Sequence, residues 1–480
     1  MSTSEFLVSK EEDFNEWYNS LVLKAELADY GPVRGTMIVR PYGWALWENI
    51  QAALDKRFKA TGHQNAAFPM FIPMSFLEKE AKHVEGFAPE LAIVTHGGGE
   101  ELAEPLAVRP TSETIIGHTY AKWIQSYRDL PILLNLWNSV VRWEMRTKLF
   151  LRTLEFYWQE GHTAHATAEE ALAETSQMLD VYTDFAVNEA AIPVIPGEKS
   201  EKERFAGAEM TLTIEAMMGD GRALQSGTSH FMGQNFARAF DIKYQDPNNN
   251  WELCWTTSWG LSTRFIGAII MTHGDNAGLI LPPRLAPIQC IIVPIYKNDG
   301  EKTNVLAAAD SVFQELSDLG IRAKVDLREQ LSPGFKFNDW ELKGVPMRIE
   351  LGPRDVQNRT LVLARRDQRG REGKQSISRD QLAATAPELL RQIQAALLAK
   401  ATQFRDEHTL AATNYDEFKA AISTGFARVW WAGSSEDERR IQEETKATLR
   451  CLPLEQPGGE GVCFYTGQPA NKIAIFGRSY

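Results

Sequence analysis

Residues 142–162 read RWEMRTKLFLRTLEFYWQEGH, a stretch with four arginines or lysines, three glutamates and five aromatic side chains. It has little helical periodicity and reads as two strands joined by a short turn near Thr147 and Lys148. Successive strand side chains point to opposite faces. One face then collects Arg142 and Glu144 from the first strand, and Arg152, Phe156, Trp158, Glu160 and His162 from the second. An antiparallel ribbon with one wet face also alternates polar and apolar residues for no functional reason. The mixture of large aromatics and opposite charges, however, suits a planar, charged ligand. Phe156 can stack on a flat ring, while Arg142 and Arg152 offer forked donors to carboxylate or phosphate oxygens.

Around this stretch the chain has 480 residues, too many for one core, which predicts two or three domains. A hydrophobic content of 44% with 24% charged residues is that of a globular protein. No run of about 18 uncharged apolar residues occurs. The acidic start MSTSEFLVSKEEDFNEW lacks a signal-peptide core, so the expected location is cytoplasmic. Cys254, Cys290, Cys451 and Cys463 are too widely spaced for a disulfide framework, in keeping with a reducing compartment. The net charge of −12 argues against indiscriminate nucleic-acid binding but leaves room for a local basic patch.

Glycines and prolines cluster in GDNAGLILPPRLAP, just before the β-branched run IQCIIVPIY, and place a boundary there. Strands and helices then alternate through a helix over about 303–319, IRAKVDL, PMRIELG, TLVLARR and a long helix from about 386, an α/β pattern. Beyond about 405 the strand signals are weak and a small third domain is expected. Upstream, Trp47, Ile50, Leu54 and Phe58 line one helix face that Gly62 can end, followed by the strand-like NAAFPMFIP. Thr167 with Glu170 reads as a capping box opening a helix to about 188. The expected fold is α+β and multidomain: an antiparallel sheet flanked by helices over 1–283, an α/β domain over 284–404 and a small α+β domain over 405–480.

Three further stretches share the character of the first. VRPTSET places Thr111 and Glu113 two apart, LQSGTSHFMGQNFARAF offers Gln225, Thr228 and His230, and WTTSWGLSTRFIGA holds Ser258 and Arg264 before a helix-like run. Taken in this order, the set resembles the class II aminoacyl-tRNA synthetases, and among them the prolyl-tRNA synthetases of the short archaeal and eukaryotic type. RWE at 142–144, the spacing of Arg152, Phe156 and Glu160, and GLSTR at 260–264 match the second and third motifs of the class. Pro69 ends the helix and strand of the first motif. RPTSET, WQEGHTAH, GTSH, PGFKFNDWELKGVPMRIELGPRD and the final FGRSY carry the prolyl character, over essentially the whole length.

The resemblance implies a proline–tRNA ligase that uses ATP with magnesium, takes L-proline and tRNA(Pro) as substrates, and acts as a homodimer through the Pro69 region. It implies that Arg142 bridges the amino acid carboxylate and the α-phosphate, with Glu144 on the adenine amino group or the terminal adenosine of tRNA. Phe156 and the stem of Arg264 would sandwich the adenine, and Arg152, Thr153, Gln225 and Thr228 would hold phosphates, ribose and magnesium. Ser258 would border both pockets. For proline, Thr111 and Glu113 would accept from the ammonium, and Phe87, Trp158, Glu160, His162 and His230 would form the wall. An apolar pocket discriminates by only about 1–3 kcal/mol per methylene, so smaller amino acids should leak in. Some bacterial relatives insert an editing domain between the second and third motifs. About 90 residues separate His162 from Trp255, too few for one.

Phe337, Glu341, Arg348 and Arg354, with the basic stretch RTLVLARRDQRGREGK, are the implied anticodon contacts, because arginine and glutamate suit guanine edges in an unstacked loop. Many relatives hold zinc in the C-terminal domain. Here Ala432, Asp437, Cys463 and Thr466 stand at the four positions, and one cysteine cannot make a closed thiolate site, so no zinc is expected. His162 and His165 point to opposite faces if on a strand, which argues against a metal pair. The last tyrosine is expected to dock near the active site. Two other readings remain open. One is an inactive paralogue that binds RNA or protein, against which stand the intact Arg142, Glu144, Phe156 and Arg264. The other is a class II ligase for another amino acid, such as threonine, although no cysteine accompanies 142–165 to hold a catalytic zinc.

Overall fold

The stretches ILLNLWNSVV, EFYWQEGHTAH and WTTSWGLS form three long strands, Ile132–Val141, Glu155–His165 and Trp255–Ser262. The computed structural model describes residues 7–83, 91–144 and 146–480, without the side chains of 79–83. The three strands are antiparallel neighbours, with His162 between Leu134 and Ser258. Ala223–Gly233, Met210–Met217 and Val194–Glu198 continue the sheet antiparallel on one side, and Gln64–Asn65 adds a parallel strand on the other. Helices Pro41–Ala60, Ala168–Asp184 and Arg264–His273 pack on one face of this sheet. Trp47, Phe58, Tyr182, Trp259 and Phe265 are fully buried between them, each contributing about 1.5–3 kcal/mol before chain entropy is counted. The opposite face is polar and carries a cleft.

Trp47, Ile50, Leu54 and Phe58 form the buried stripe of the first long helix, and Gly62 follows its end with φ of 90°. The single strand expected through NAAFPMFIP is instead two. Gln64–Asn65 belongs to the main sheet, whereas Phe71–Pro73 joins a separate sheet with Ala92–Gly97 and Glu100–Val108. Pro69 lies between them and has no amide hydrogen to continue a ladder. The Thr167 hydroxyl accepts from the Glu170 amide, as read from sequence, but the Glu170 carboxylate reaches back to Ala166 instead of Thr167.

A second sheet is built from Ala323–Val325, Cys290–Pro294, Met347–Leu351, Thr360–Arg365 and Lys374–Ser378 in that spatial order, the first three parallel and the last two antiparallel. Helices Asp299–Asp318 and Leu382–Glu407 pack on it. The first begins four residues before the sequence reading because Asn298 caps it, accepting the Glu301 amide at 3.0 Å. The second begins before Pro387, fed by the turn Arg379–Gln381, and runs through the boundary read at 404–405.

The last part of the chain differs most from its sequence reading. Thr409–Ala411, Phe426–Trp431, Ala447–Pro453 and Lys472–Arg478 are strands, and they extend the main sheet. Leu452 pairs with Glu198 and Pro453 with Gly197, giving one sheet of eleven strands. These strands are only three to seven residues long, and the helices Tyr415–Thr424 and Ser435–Thr445 interrupt them. Among the described residues no helix is long and apolar enough to cross a membrane.

Candidate functional site

The opening stretch is half a hairpin. Its second strand is Glu155–His165, but the partner is Ile132–Val141, and residues 142–154 form the connection. One ladder bond continues past the strands, from the Arg142 amide to the Leu154 carbonyl at 2.8 Å. The turn lies at 149–151, closed by a bridge between Lys148 and Arg152, and not at Thr147 and Lys148. Burial decides this. Leu149, Phe150 and Leu151 insert into the core, Phe150 at a left-handed φ of 62°, and the Leu149 carbonyl accepts the Tyr18 hydroxyl at 2.8 Å. Arg142, Glu144 and Arg152 are therefore presented by a loop anchored through its apolar turn.

Below this loop a cleft of ≈ 240 Å³ opens on the polar face of the sheet. Phe156, Trp158, Glu160 and His162 line it, as strand parity requires, while Gln159 on the other face accepts the Tyr182 hydroxyl at 2.6 Å. His165 likewise faces away, 2.8 Å from the Thr163 hydroxyl. Arg142 projects into the cleft. Its Nε donates to the Pro110 carbonyl at 3.1 Å, and its guanidinium lies 5.4 Å from the Phe156 ring centre and 5.6 Å from that of Trp158. Burial lowers its pKa, opposed by the charges of Glu113, Glu160 and Glu144.

Glu160 is held from three sides. Ser112 Oγ and Asn138 Nδ2, the latter at 2.8 Å, donate to one oxygen, and His162 Nε2 lies 3.0 Å from the other. Burial alone would raise its pKa, but the hydrogen bond and charge of His162 bring it below the ordinary value. Burial also opposes charge on His162, and Glu160 outweighs it, so the imidazole pKa is raised. His230 behaves oppositely: burial, then the neighbouring His162, lower it to about 3 and keep it neutral. Its Nδ1 lies 3.0 Å from Thr211 Oγ and its ring packs on Phe205 with centres 4.5 Å apart. Thr111 donates to the carboxylate of Glu113, the first residue of helix Glu113–Trp123.

Gln225 and Thr228 reach the same cleft from Ala223–Gly233, Ser258 from Trp255–Ser262, and Arg264 from the start of its helix. Arg264 Nε donates to the Leu151 carbonyl at 3.1 Å, tying the helix to the loop turn. Burial and the like charges of Arg152 and Arg142 lower its pKa to about 10, so it stays cationic at neutral pH. Guanidinium groups that repel across a buried space favour entry of an anion between them. Glu144 and Arg152 stand outside the cleft lining, 3.8 Å from one another and partly exposed. Such a pair is worth at most about 1 kcal/mol, so a ligand can separate it. Thr153 is buried and its hydroxyl donates to the Glu155 carbonyl at 2.7 Å. Phe87 lies outside the described residues. Sequence reasoning missed Ser112 and Asn138 on Glu160, and Thr211 and Phe205 on His230. Ser112 stood inside VRPTSET, whereas Asn138 and Thr211 are cross-strand partners of Trp158 and His230, visible only once the register is known.

Beside the second sheet, Phe337 and Glu341 on helix Pro333–Leu342 meet Arg348 of strand Met347–Leu351. The Arg348 guanidinium stacks 4.2 Å from the Phe337 ring centre and bonds Glu341 at 3.3 Å and Glu350 at 2.9 Å. Arg354 stands apart, exposed on the short helix Pro353–Asn358. Part of the basic stretch is already engaged within the protein. Arg365 pairs with Asp367, and buried Arg366 grips Asp275 of the main unit at 2.6 and 2.9 Å. At the four zinc-related positions, Asp437 accepts from the Ser434 amide and caps its helix, and Cys463 is buried. Burial raises the Cys463 pKa, but hydrogen bonds from Thr466 and from the backbone at Ala432 and Tyr465 bring it below the ordinary value. Tyr480 docks on the main unit: its hydroxyl donates to Asp220 at 2.6 Å and its ring lies 4.9 Å from Lys148 Nζ, in the loop that carries Arg142.

Three sequence families match along the chain: "tRNA synthetase class II core domain (G, H, P, S and T)" over residues 95–273, "Anticodon binding domain" over 289–389, and "Prolyl-tRNA synthetase, C-terminal" over 415–480. The chain is 58% identical to a chloroplastic/mitochondrial proline–tRNA ligase of Arabidopsis thaliana, over 98% of this chain and 88% of that one. It is also 58% identical to a proline–tRNA ligase of Chloroflexus aurantiacus over 99% of both chains. Its structure is similar to a crystal structure of prolyl-tRNA synthetase from Cryptosporidium parvum complexed with halofuginone and AMPPNP, with a TM-score of 0.95, 40% identity and full coverage of both chains.

Proposed function

Because this chain belongs to the prolyl-tRNA synthetases of class II, we propose that Arg142 is the counter-charge shared by its two anionic substrates. The reaction is the activation of L-proline with ATP to prolyl-adenylate, with release of pyrophosphate, followed by transfer of proline to the 3′ end of tRNA(Pro). ATP enters as a substrate together with its magnesium. In the first step a proline carboxylate oxygen attacks the α-phosphorus and pyrophosphate leaves, so negative charge accumulates where two anions meet. A guanidinium fixed there stabilises the pentavalent transition state electrostatically, without proton transfer. In the second step a ribose hydroxyl of the terminal adenosine attacks the activated carbonyl and AMP leaves.

The observation that carries this reading is that Arg142 lies over both Phe156 and Trp158 while feeling the charges of Glu113 and Glu160. On the nucleotide side, Phe156 and the stem of Arg264 sandwich adenine, Gln225, Thr228 and Arg152 hold ribose, phosphates and magnesium, and Glu144 takes the adenine amino group or the terminal adenosine. On the amino acid side, Thr111 and Glu113 accept from the secondary ammonium, and Trp158, Glu160, His162 and neutral His230 wall the ring. Ser258 lies between the two. Phe337, Glu341 and Arg348 read the anticodon, the guanidinium already stacked and ready to be redirected to a base edge. The division into a catalytic unit at 1–283, an anticodon unit at 284–404 and a C-terminal unit at 405–480, the homodimer through the Pro69 region and the cytoplasmic location belong to the same reading.

The test is pyrophosphate exchange into ATP. Exchange should require proline, and Arg142→Ala should depress it about 10²–10³-fold with an unchanged thermal midpoint. Exchange driven by threonine in place of proline, or a mild loss in the variant, would overturn the reading. Sedimentation of the purified protein should give a dimer; a monomer at working concentration would remove the Pro69 interface.

A further inference from the structure

Arg450 stands on strand Ala447–Pro453 of the C-terminal unit, where the register shifts between Leu449 and Cys451. Its guanidinium turns into the catalytic sheet, where Nη2 and Nε donate to Glu215 Oε2 at 2.9 and 3.1 Å and Nη1 donates to the Thr448 hydroxyl at 2.8 Å. The other Glu215 oxygen accepts from Lys199 Nζ at 2.6 Å and from the Thr213 hydroxyl at 3.1 Å. Lys199 also donates to the Arg450 carbonyl at 2.7 Å. The side chains of Glu215, Lys199 and Arg450 are 0%, 2% and 7% exposed. Three charges so deeply buried carry a large desolvation cost, which weighs against a purely stabilising role.

What the cluster holds is strand Met210–Met217 at its irregularity between Ile214 and Glu215, where Glu215 sits opposite Gln225. Thr211, Thr213 and Glu215 pair with His230, Thr228 and Gln225, and those three partners all line the cleft. Opposed residues of an antiparallel pair share a face. The Glu215 carboxylate therefore lies on the active-site face of the sheet, behind the two side chains assigned above to the nucleotide. We propose that Arg450 is a positioning residue for the nucleotide half of the active site, supplied by the C-terminal unit and acting through Glu215 on Gln225 and Thr228. This rests on the reading of Gln225 and Thr228 as nucleotide ligands. It gives the C-terminal unit a part in activation that needs no metal and no contact with substrate.

The experiment is proline-dependent pyrophosphate exchange with KM measured separately for ATP and proline. Arg450→Met leaves Glu215 paired with Lys199, and its KM for ATP should rise about tenfold. KM for proline should stay within about twofold, and Arg450→Lys should recover most of the loss. Glu215→Gln keeps the volume and serves as the second variant where Arg450→Met does not fold. Positioning predicts a raised ATP KM here too, whereas a mere positive field predicts a lowered one, because a negative charge has gone. Unchanged ATP KM in these variants, or parallel loss for both substrates, overturns the proposal. Gln225→Ala is the control. If it raises ATP KM while Arg450→Met is silent, the inference alone fails; if Gln225→Ala is silent, the reading beneath it fails as well.

Discussion

Glu160 carries its charge in the interior only because Ser112, Asn138 and His162 converge on it. The pair has two opposite pH dependences. His162 is raised above 6.5 in the fold, so its contribution is complete below pH 6.5 and is lost as pH rises through the raised value. Glu160 is lowered below 4.5, so its contribution is present above pH 4.5 and is lost as pH falls through the lowered value. Glu160→Gln removes the charge that holds the His162 proton. The variant should lose about 1–3 kcal/mol of stability, read as a lower thermal midpoint that declines less as pH rises above 6.5. KM for proline should increase in the same variant. Residue type and spacing made Glu160 and His162 legible as candidates, since carboxylate, imidazole and aromatics alternate at 156–162. The donors that hold Glu160 were not legible, because Asn138 reaches it across a strand register that no local pattern encodes.

The strand Glu155–His165 works as an element because its two faces have different duties. One face presents Phe156, Trp158, Glu160 and His162, and the other must seat the fully buried Trp259. Gly161 makes that possible: a Cβ there would meet the indole at 2.1 Å. Gly161→Ala should cost about 1–3 kcal/mol of stability, measured as a lower midpoint in thermal unfolding, and should raise KM for proline, because the flanking Glu160 and His162 move with the strand. An unchanged midpoint would mean that the indole finds another rotamer freely. The neighbouring loop shows where element-level reading fails. Period-two alternation through RWEMRTKLFLRTLE predicted a short hairpin, but Leu149, Phe150 and Leu151 gain more by entering the core than by pairing, and the turn moves to them.

At the scale of the molecule the units are joined by charge as well as by backbone. Arg366, which follows strand Thr360–Arg365 of the second sheet, is almost wholly buried against Asp275, which follows helix Arg264–His273, while Lys343 and Glu26 meet at 2.7 Å across the same boundary. Arg366→Ala should loosen the presentation of the anticodon unit without touching the cleft. Aminoacylation should then show KM for tRNA raised about tenfold, with proline-dependent pyrophosphate exchange, which needs no tRNA, nearly unchanged; equal loss in both assays would place the effect in the active site instead. By itself the sequence determined the class of fold and which side chains could bear the chemistry, because alternation, caps and charged aromatic clusters are local properties of the chain. Only the tertiary structure decided that the C-terminal strands extend the catalytic sheet, that Arg365 and Arg366 are engaged internally, and that Thr153 turns back into its own loop. Those outcomes depend on contacts between segments as distant as Glu198 and Leu452, where pairing energy is won across a separation that local pattern does not report.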